Sequence, residues 1–537
     1  NVFQYKTPEN LAKNIVVSKN NLLKKLEYIK SSKTEKTSIC DNILSDNKFI
    51  FNPEIKPIKQ VLLTGATGYL GCNILYQLLM TTNYHVVALI RAATAQEALK
   101  RLSEKFKFYF DIDLQLYQKR LSVYNADIEK TNLSLAEKTY KQLQQTTDSI
   151  IHSAALVKHY GHRDEFYSAN VQSTIHLLEF CKNTCGKDFH YISTYSVLQD
   201  GFIPNKNVYI CNEEDNGSEY QERSNIYVQT KYEGELATVN YRSQGVTTSI
   251  YRVGNLSAIS FNGRNQENIE DNGFFTRIKS MLNLGVVANE VAIMEISPVD
   301  ISALAIVKLF CQKNLENKTH HVFHPHKTNL LDILGQDSSL NLTPLKIDQF
   351  VDHLIQNLNL ATYQSYIEQF MLHVGWLHES NGPSTQFILQ NERTVSILNT
   401  LGVHWPSIQL TALQDILAKA FQERTQFLSH SFMGQGLSEQ NLLSLAKVSK
   451  LCHYEPEQRL ATQGESTGNI KLIFQGYVDN YIKSTGGWLS SLQLIFSGDV
   501  INFEAIVDKP CSSSCEAIFD TVTTIEFSQK DWKRRRH

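Results

Sequence analysis

No apolar run of about 18 residues occurs in the 537-residue sequence, and no secretory leader is visible. From these two absences we expect neither a membrane span nor export, and we predict a cytoplasmic protein with no membrane partner. The sequence also has little excess charge, since its formal net charge is −2. Nucleic-acid binding is therefore not expected, because the basic run Lys533–Arg536 is too short to create a strongly positive surface.

Cysteine pairs at metal-ligand spacing are missing as well. The nine cysteines are scattered and odd in number, which fits a reducing compartment better than a disulfide framework. Cys181 and Cys185 are separated by three residues, as are Cys511 and Cys515, and not by the two of a C-x-x-C motif. A histidine cluster lies between residues 320 and 326, but no cysteine or carboxylate accompanies it, so we predict no metal site.

The most informative segment that is present runs from Val61 to Gly71 (VLLTGATGYLG). An apolar, strand-like stretch leads into Gly65, Gly68 and Gly71, and a helix-like segment follows. Such a strand, tight turn and helix start lets the main chain approach a pyrophosphate, whose charge the helix N-terminus stabilises. The segment therefore predicts a dinucleotide-binding loop.

The end of the next strand-like segment, residues 84–91 (YHVVALIR), indicates which dinucleotide binds. An acidic residue at this position would bind the ribose 2′-hydroxyl of NAD, but the sequence has Arg91, which can pair with a 2′-phosphate. Arg101 lies ten residues further on, in a helix-like segment that can reach the same phosphate. We therefore predict NADPH as the cofactor.

Two further apolar strands, residues 149–156 (SIIHSAAL) and 189–197 (FHYISTYSV), end in small or polar residues. Small residues at a strand end leave space for a nicotinamide. Tyr227 and Lys231 then follow in a helical segment, residues 226–241, and their spacing of four places the phenol and the ammonium on one face. A cation near a tyrosine is one way to make the phenol a useful acid at neutral pH.

This ordered set of motifs resembles an extended short-chain dehydrogenase/reductase, and more narrowly the thioester reductase domain of nonribosomal peptide and polyketide synthetases and carboxylic acid reductases. The resemblance covers roughly residues 50 to 427. The motifs that carry it are Gly65-x-x-Gly68-x-x-Gly71, Arg91, His152-Ser-Ala-Ala155, Ser193-Thr194-Tyr-Ser196, Tyr227-x-x-x-Lys231, Arg252-Val-Gly254 and Ser297-Pro-Val-Asp300. The family often has proline where Val253 stands.

The resemblance implies an α/β fold, a doubly wound Rossmann-type parallel sheet with a helical substrate subdomain. It implies a catalytic triad of Thr194, Tyr227 and Lys231, in which the lysine holds the nicotinamide ribose and lowers the pKa of the tyrosine. The cofactor-binding residues that we predict are Gly65, Thr67, Gly68, Tyr69, Leu70, Gly71, Arg91, Arg101, Asp127, Ile128, Ser153, Ala154 and Ala155, with Asp127 and Ile128 near the adenine.

The reaction that the resemblance implies is NADPH-dependent release of an acyl or peptidyl chain, as an aldehyde or an alcohol, from the phosphopantetheine thioester of a carrier domain. Two alternatives remain open. One is another extended reductase or a sugar-nucleotide epimerase, which would retain NAD tightly. The other is a non-enzymatic nucleotide-sensing scaffold, which the Tyr227 and Lys231 pair argues against. The sequence does not indicate the acyl group or the oligomeric state.

The chain is long enough for several domains. We predict the C-terminal helix of a carrier domain in residues 1–18, a linker in 19–55, the reductase domain in 56–310 and its substrate subdomain in 311–427. Residues 433–537, a helix followed by short strands with glycine turns, resemble the β-roll of cyclic-nucleotide-binding domains. The predicted strands are residues 470–474, 477–482, 492–496 and 521–527. Glu504 is displaced from the position where that family binds ribose, and Cys511 stands where it has arginine, so we predict no cyclic-nucleotide binding.

Overall fold

The computed structural model describes residues 22–24, 26–27, 50–157, 161–182, 187–198, 208–218, 225–340, 342–358, 360–374, 386–466 and 468–536. The predicted carrier helix lies outside these residues. Of the predicted linker, Leu22 and Leu26 are helical and buried in the same apolar core as the helices of the substrate subdomain. The predicted domain boundaries remain predictions.

The N-terminal part alternates strands and helices, as an α/β fold requires. Its strands are β1 (Gln60–Thr64), β2 (His85–Ile90), β3 (Leu121–Asn125), β4 (Ser149–His152), β5 (Asp188–Thr194), β6 (Val208–Cys211), β7 (Thr247–Val253), β8 (Leu256–Ser257), β9 (Val286–Ala288), β10 (Ile293–Met294), β11 (Ser297–Pro298) and β12 (Thr319–Val322). Its helices are α1 (Tyr69–Thr81), α2 (Ala95–Phe110), α3 (Glu137–Thr146), α4 (Arg163–Tyr167), α5 (Ser173–Lys182), α6 (Ile226–Asn240), α7 (Gly273–Leu284), α8 (Asn289–Ala292) and α9 (Val299–Phe310).

Seven of these strands form a parallel sheet in the order β12-β7-β5-β4-β1-β2-β3. Successive residues of a strand face opposite sides of this sheet. Val61 and Leu63 pack into one apolar core with α1, α2 and α9, whereas Leu62 packs into a second core with α3 and α5. Helices therefore cover both faces, and the predicted Rossmann-type α/β fold is confirmed.

The second part of the chain is mostly helical as far as residue 430. It contains β13 (Thr328–Asn329), α10 (Leu330–Leu334), β14 (Thr343–Leu345), α11 (Ile347–Asn357), α12 (Ala361–Val374), β15 (Gln386–Leu389), α13 (Glu392–Thr400), α14 (Gln414–Ala420) and α15 (Gln422–His430). Among them, β15 pairs with β6 and α13 contacts α9 and β12, so this part is attached to the seven-stranded parallel sheet and its helices.

The C-terminal part begins with α16 (Glu439–Val448) and ends with α17 (Gln529–Arg536). Between them, an antiparallel sheet is formed by β16 (Lys450–Tyr454), β17 (Arg459–Ala461), β18 (Asn469–Lys483), β19 (Leu489–Phe496), β20 (Val500–Ile501) and β21 (Ser514–Ser528). The additional β-rich unit is thus present, while its likeness to a cyclic-nucleotide-binding roll remains a prediction. The two predicted strands 470–474 and 477–482 are one strand, because β18 continues through irregular pairing near Gly476.

One apolar core joins α7 and the mostly helical second part of the chain to the C-terminal unit. Leu282 of α7 and Leu417 of α14 belong to the same buried cluster as Leu445 of α16 and Ile525 of β21. Alternate residues of β18 divide between this cluster and a separate core inside the C-terminal sheet, since Leu472 faces the former and Ile473 the latter. In the described ranges, no helix combines the length and the apolar composition needed to cross a bilayer.

Candidate functional site

The backbone of the glycine loop that follows β1 is packed tightly against neighbouring backbone atoms. Gly65 has a φ of +75°, and a Cβ atom there would lie 2.6 Å from the backbone nitrogen of Ala154. A Cβ atom on Gly71 would lie 2.0 Å from the carbonyl oxygen of Gly65. Only glycine fits at these two positions, and Gly68 ends the loop as the N-cap of α1. The exposed main chain and helix start have the form of a pyrophosphate cradle, so the residues present fit a dinucleotide.

The position of this loop in the sheet supports the same assignment. β1 pairs with β2 on one side and β4 on the other, so the strand order reverses here. Ligands of open α/β sheets bind in the crevice at such a switch point. Ser153, Ala154 and Ala155 follow β4 at this crevice, and the Ala154 N–H donates to the Thr64 hydroxyl at 3.3 Å.

Arg91 and Arg101 lie next to each other, and their binding of a cofactor phosphate remains a prediction. Arg91 directly follows β2, and the Arg101 guanidinium of α2 donates to the Arg91 carbonyl oxygen. The Arg91 side chain is 71% exposed, and its Nη1 lies 2.9 Å from Oε1 of Glu129. A cofactor phosphate bound by Arg91 must therefore compete with the Glu129 carboxylate.

The other predicted cofactor residues differ in what they offer. Asp127 and Ile128 follow β3 at the same edge of the sheet, and the Ile128 carbonyl oxygen lies 2.9 Å from Nδ1 of His176. Tyr69 and Leu70 are buried, and the Tyr69 hydroxyl donates to the carbonyl oxygen of Ser257 at 2.8 Å. Their side chains serve the packing of the loop. Thr67 lies in the turn that precedes them and is half-buried.

Thr194 and Tyr227 are brought together at the carboxyl edge of the sheet. Thr194 is the last residue of β5, and Tyr227 lies in the first turn of α6. The Asn225 side chain caps this helix and accepts the Tyr227 N–H at 2.9 Å, which fixes where the tyrosine emerges. Burial raises the pKa of Tyr227 to about 12, against a hydrogen bond with Thr194 that lowers it.

Lys231 lies one turn further along α6, but its contact differs from the expectation. Its Nζ donates to the carbonyl oxygen of Ile192 at 2.6 Å and lies 4.0 Å from the ring centroid of Tyr191. Burial lowers the pKa of Lys231 to about 7, opposed by the charge of Glu235. The lysine is therefore a poorly solvated cation, and its expected effects on Tyr227 and on the nicotinamide ribose remain predictions.

A buried ion pair holds α6 against the sheet. Arg252 of β7 is 1% exposed and Glu235 of α6 is 3% exposed. Arg252 Nη2 donates to Oε2 of Glu235 at 2.7 Å, and its Nε donates to Oε1 at 3.0 Å. This two-pronged geometry sets the position of the helix that bears Tyr227 and Lys231.

Asn170, which no sequence pattern singles out, braces the loop after β4. It is 1% exposed and lies in a π-helical turn, Ser168–Gln172, between α4 and α5. Its side chain accepts the Leu156 N–H at 2.7 Å and donates to the Thr230 hydroxyl at 3.0 Å. It thereby joins the small-residue loop to α6. A π turn is frequent at functional sites but leaves no signal in the sequence that could have predicted it.

A second group that the sequence does not reveal surrounds Glu295, a buried carboxyl beside the end of β7. It accepts the Asn255 N–H at 2.6 Å and the His324 N–H at 3.3 Å, and also the Ser297 hydroxyl. Burial raises the pKa of Glu295 to about 7. Asn255 donates in turn to the hydroxyl of Tyr195, the residue after Thr194, at 2.8 Å. Glu295 therefore connects β7, β11 and β12 next to the predicted catalytic threonine.

The histidines between residues 320 and 326 have separate environments. His320 is buried against Tyr251, with ring centroids 5.5 Å apart, while Nε2 of His324 lies 3.1 Å from the Pro406 carbonyl oxygen. Across the ranges that the structure describes, no three histidine, cysteine or carboxylate side chains converge as metal ligands.

Comparison with known proteins places this site in a family context. A model of an NAD-binding family described as Male sterility protein matches residues 63–306. This stretch extends from β1 to α9, and it contains the glycine loop, Arg91, Thr194, Tyr227 and Lys231.

Two curated relatives are similar to part of this chain. A linear gramicidin synthase of Brevibacillus parabrevis is 25% identical over 312 residues, which are 58% of this chain and 6% of that protein. L-2-aminoadipate reductase of Schizosaccharomyces pombe is 26% identical over 350 residues, which are 62% of this chain and 23% of that protein. The chain thus spans less than a quarter of either curated relative.

A solved structure extends the similarity beyond the matched family region. The thiolation-reductase di-domain of an archaeal non-ribosomal peptide synthetase is 26% identical, with a TM-score of 0.59, and the match covers 78% of this chain and 86% of that one. The parallel sheet, the glycine loop and the family match together indicate a Rossmann-type domain that binds a nicotinamide cofactor.

Proposed function

We propose that this chain is an NADPH-dependent thioester reductase that releases an acyl or peptidyl chain from a carrier domain as an aldehyde. The observation that carries the proposal is that Thr194, the last residue of β5, and Tyr227, in the first turn of α6, lie at the carboxyl edge of the sheet on which the glycine loop opens. Similarity to a thiolation-reductase di-domain and to L-2-aminoadipate reductase supports the substrate class.

The side chains at this edge fit the chemistry of carbonyl reduction. The cofactor, when bound, would supply the hydride that reduces the thioester carbonyl. Thr194 and Tyr227 would donate hydrogen bonds to the carbonyl oxygen as negative charge develops on it. Tyr227 then gives its proton to this oxygen, and the resulting hemithioacetal breaks into the aldehyde and the carrier thiol. Lys231 would hold the nicotinamide ribose.

A conservative substitution tests the role of Tyr227. Tyr227→Phe retains the ring and removes the acid, so turnover of an acyl-carrier thioester should fall by about 100-fold or more while NADPH still binds. Tyr232→Phe, on the same helix, is a control for the loss of a phenol. Undiminished turnover by Tyr227→Phe would exclude the mechanism.

Cofactor choice is tested by a pair of variants. We expect NADPH to bind at least about tenfold more tightly than NADH, because the 2′-phosphate gains a charged partner in Arg91. Arg91→Ala should remove most of this preference. Glu129→Gln should increase it, since Glu129 competes for the Arg91 guanidinium in the structure. Equal binding of the two cofactors by the unchanged protein contradicts the assignment.

The carrier partner is tested by how the substrate is supplied. The same acyl group is presented on a separate carrier protein and as a free pantetheine thioester, and kcat/KM is compared. Recognition of the carrier should raise kcat/KM by about tenfold, because binding brings the thioester to the site at high effective concentration. Equal values would favour a reductase of free substrates.

A further inference from the structure

A polar cavity lies where the substrate subdomain meets the C-terminal unit. Its volume is about 180 Å³, and its walls come from the end of α7, from α11, α12 and α15, and from the junction of α16 with β16. It is remote in sequence from the glycine loop and contains none of the residues that we assign to reduction.

Arg424 of α15 is the buried charged group of this cavity. The residue is 5% exposed. Its two Nη atoms donate to main-chain carbonyl oxygens, to that of Ser449 at 3.1 Å and to that of Asn283 at 3.3 Å. Its Nε is buried without a hydrogen-bond partner, and none of its hydrogen bonds in the described ranges ends on a carboxylate. A buried cation without a paired counter-charge is costly, which points to a missing anion.

The carboxylates near the cavity do not supply this anion. Glu423 precedes Arg424 and its charge opposes the lowering of the pKa of Arg424 by burial, but within the described residues its carboxylate forms no ion pair with the guanidinium. Asp337 lies 3.0 Å from Nζ of Lys447, a lining residue, and so balances that lysine instead.

Two more polar groups favour an anion in the same space. His353 of α11 lines the cavity, and its buried Nε2 has no partner in the described part of the chain. Lys450, also a lining residue, is exposed and adds positive charge. Nitrogen donors from both sides of the junction therefore surround the cavity.

We propose that this cavity binds a small oxyanion, a phosphate or a short carboxylate, which pairs with Arg424 and ties the C-terminal unit to the substrate subdomain. An engineered protein cavity of about 150 Å³ holds benzene, so the space suits a compact anion rather than a nucleotide. The occupant bridges α15 and the β16 junction to α11.

The test uses the full chain with sodium phosphate or sodium propionate, against sodium chloride at matched ionic strength. Phosphate or propionate should raise the melting temperature in a saturable way, and calorimetry should give a Kd of about 1 mM or lower. The anion that binds with the lower Kd shows whether the cavity prefers a phosphate or a carboxylate.

Two variants assign this binding to the cavity. Arg424→Gln should weaken binding at least tenfold. Because Arg424 also holds main-chain carbonyls, the exposed Lys450→Glu provides a variant that leaves the core intact, and it should weaken binding severalfold. Lys483→Glu makes the same charge change on β18 away from the cavity and should have no effect. No difference from chloride, meaning a cavity filled by water, or equal binding by the Lys450→Glu and Lys483→Glu variants, would overturn the proposal.

Discussion

At the scale of single residues, the glycine loop allows a sharp comparison between two of its members. Gly71→Ala places a methyl group 2.0 Å from the Gly65 carbonyl oxygen, whereas the same change at Gly68 brings it to 3.2 Å. We expect Gly71→Ala to cost about 3 kcal/mol of unfolding free energy and to abolish NADPH binding. Gly68→Ala should cost about 1 kcal/mol or less and retain binding. Denaturant unfolding and cofactor titration measure both effects, and equal behaviour of the two variants would contradict the structure.

The buried Lys231 predicts a pH-dependent effect on stability. Burial lowers the pKa of Lys231 from 10.5 to about 7, so the unfolded chain binds more protons than the folded chain between these pH values. The contribution of Lys231 to stability therefore rises with pH from about 7 to 10.5 and is least favourable below pH 7. Lys231→Met removes this contribution.

We accordingly expect the melting temperature of Lys231→Met, relative to that of the unchanged protein, to be more favourable at about pH 6 than at about pH 9. Val239→Ala, on the same helix and without a titrating group, should show no such trend. A difference that does not vary with pH would mean that Lys231 remains well solvated.

At the scale of elements, the Arg252 and Glu235 pair determines how α6 packs on the sheet. Arg252→Met leaves a buried carboxylate without its partner and should cost about 3 to 5 kcal/mol, whereas the double variant Arg252→Met, Glu235→Leu should recover much of this loss. The cycle of single and double variants gives the coupling energy. Additive losses would show that the pair does not act as a unit.

The elements of the seven-stranded sheet could be predicted from the sequence, because apolar runs ending in glycine or small residues have few alternatives. The predicted helix 226–241 corresponds to α6, and the predicted strand 84–91 to β2. Asn170 and Glu295 could not be predicted, since their roles depend on contacts with residues distant in sequence. Their importance follows from their burial, and the sequence alone does not reveal whether a single polar residue in a helix or loop is buried.

At the scale of the whole molecule, the C-terminal unit allows a negative prediction. We expect residues 433–537, within the full chain, not to bind cyclic AMP or cyclic GMP. Cys511 is 4% exposed and its Sγ contacts Oδ1 of Asn502 at 3.0 Å, while the Glu504 carboxylate accepts hydrogen bonds from Ser512. Neither residue offers a cation to a cyclic phosphate. Calorimetry on the full chain is the measurement, and a micromolar Kd for either nucleotide would contradict this expectation.

The apolar core shared by α7, α14, α16 and β21 has a consequence for recombination between related enzymes. A crossover placed between residues 430 and 439 would build this core from side chains of two different parents. Side-chain volumes that do not match would then destabilise both the helical part and the C-terminal sheet. Chimeras should tolerate exchange better when the helices from α7 onward and the C-terminal sheet come from the same parent. The segment that must be exchanged as one piece therefore extends beyond the Rossmann-type domain and includes the C-terminal sheet.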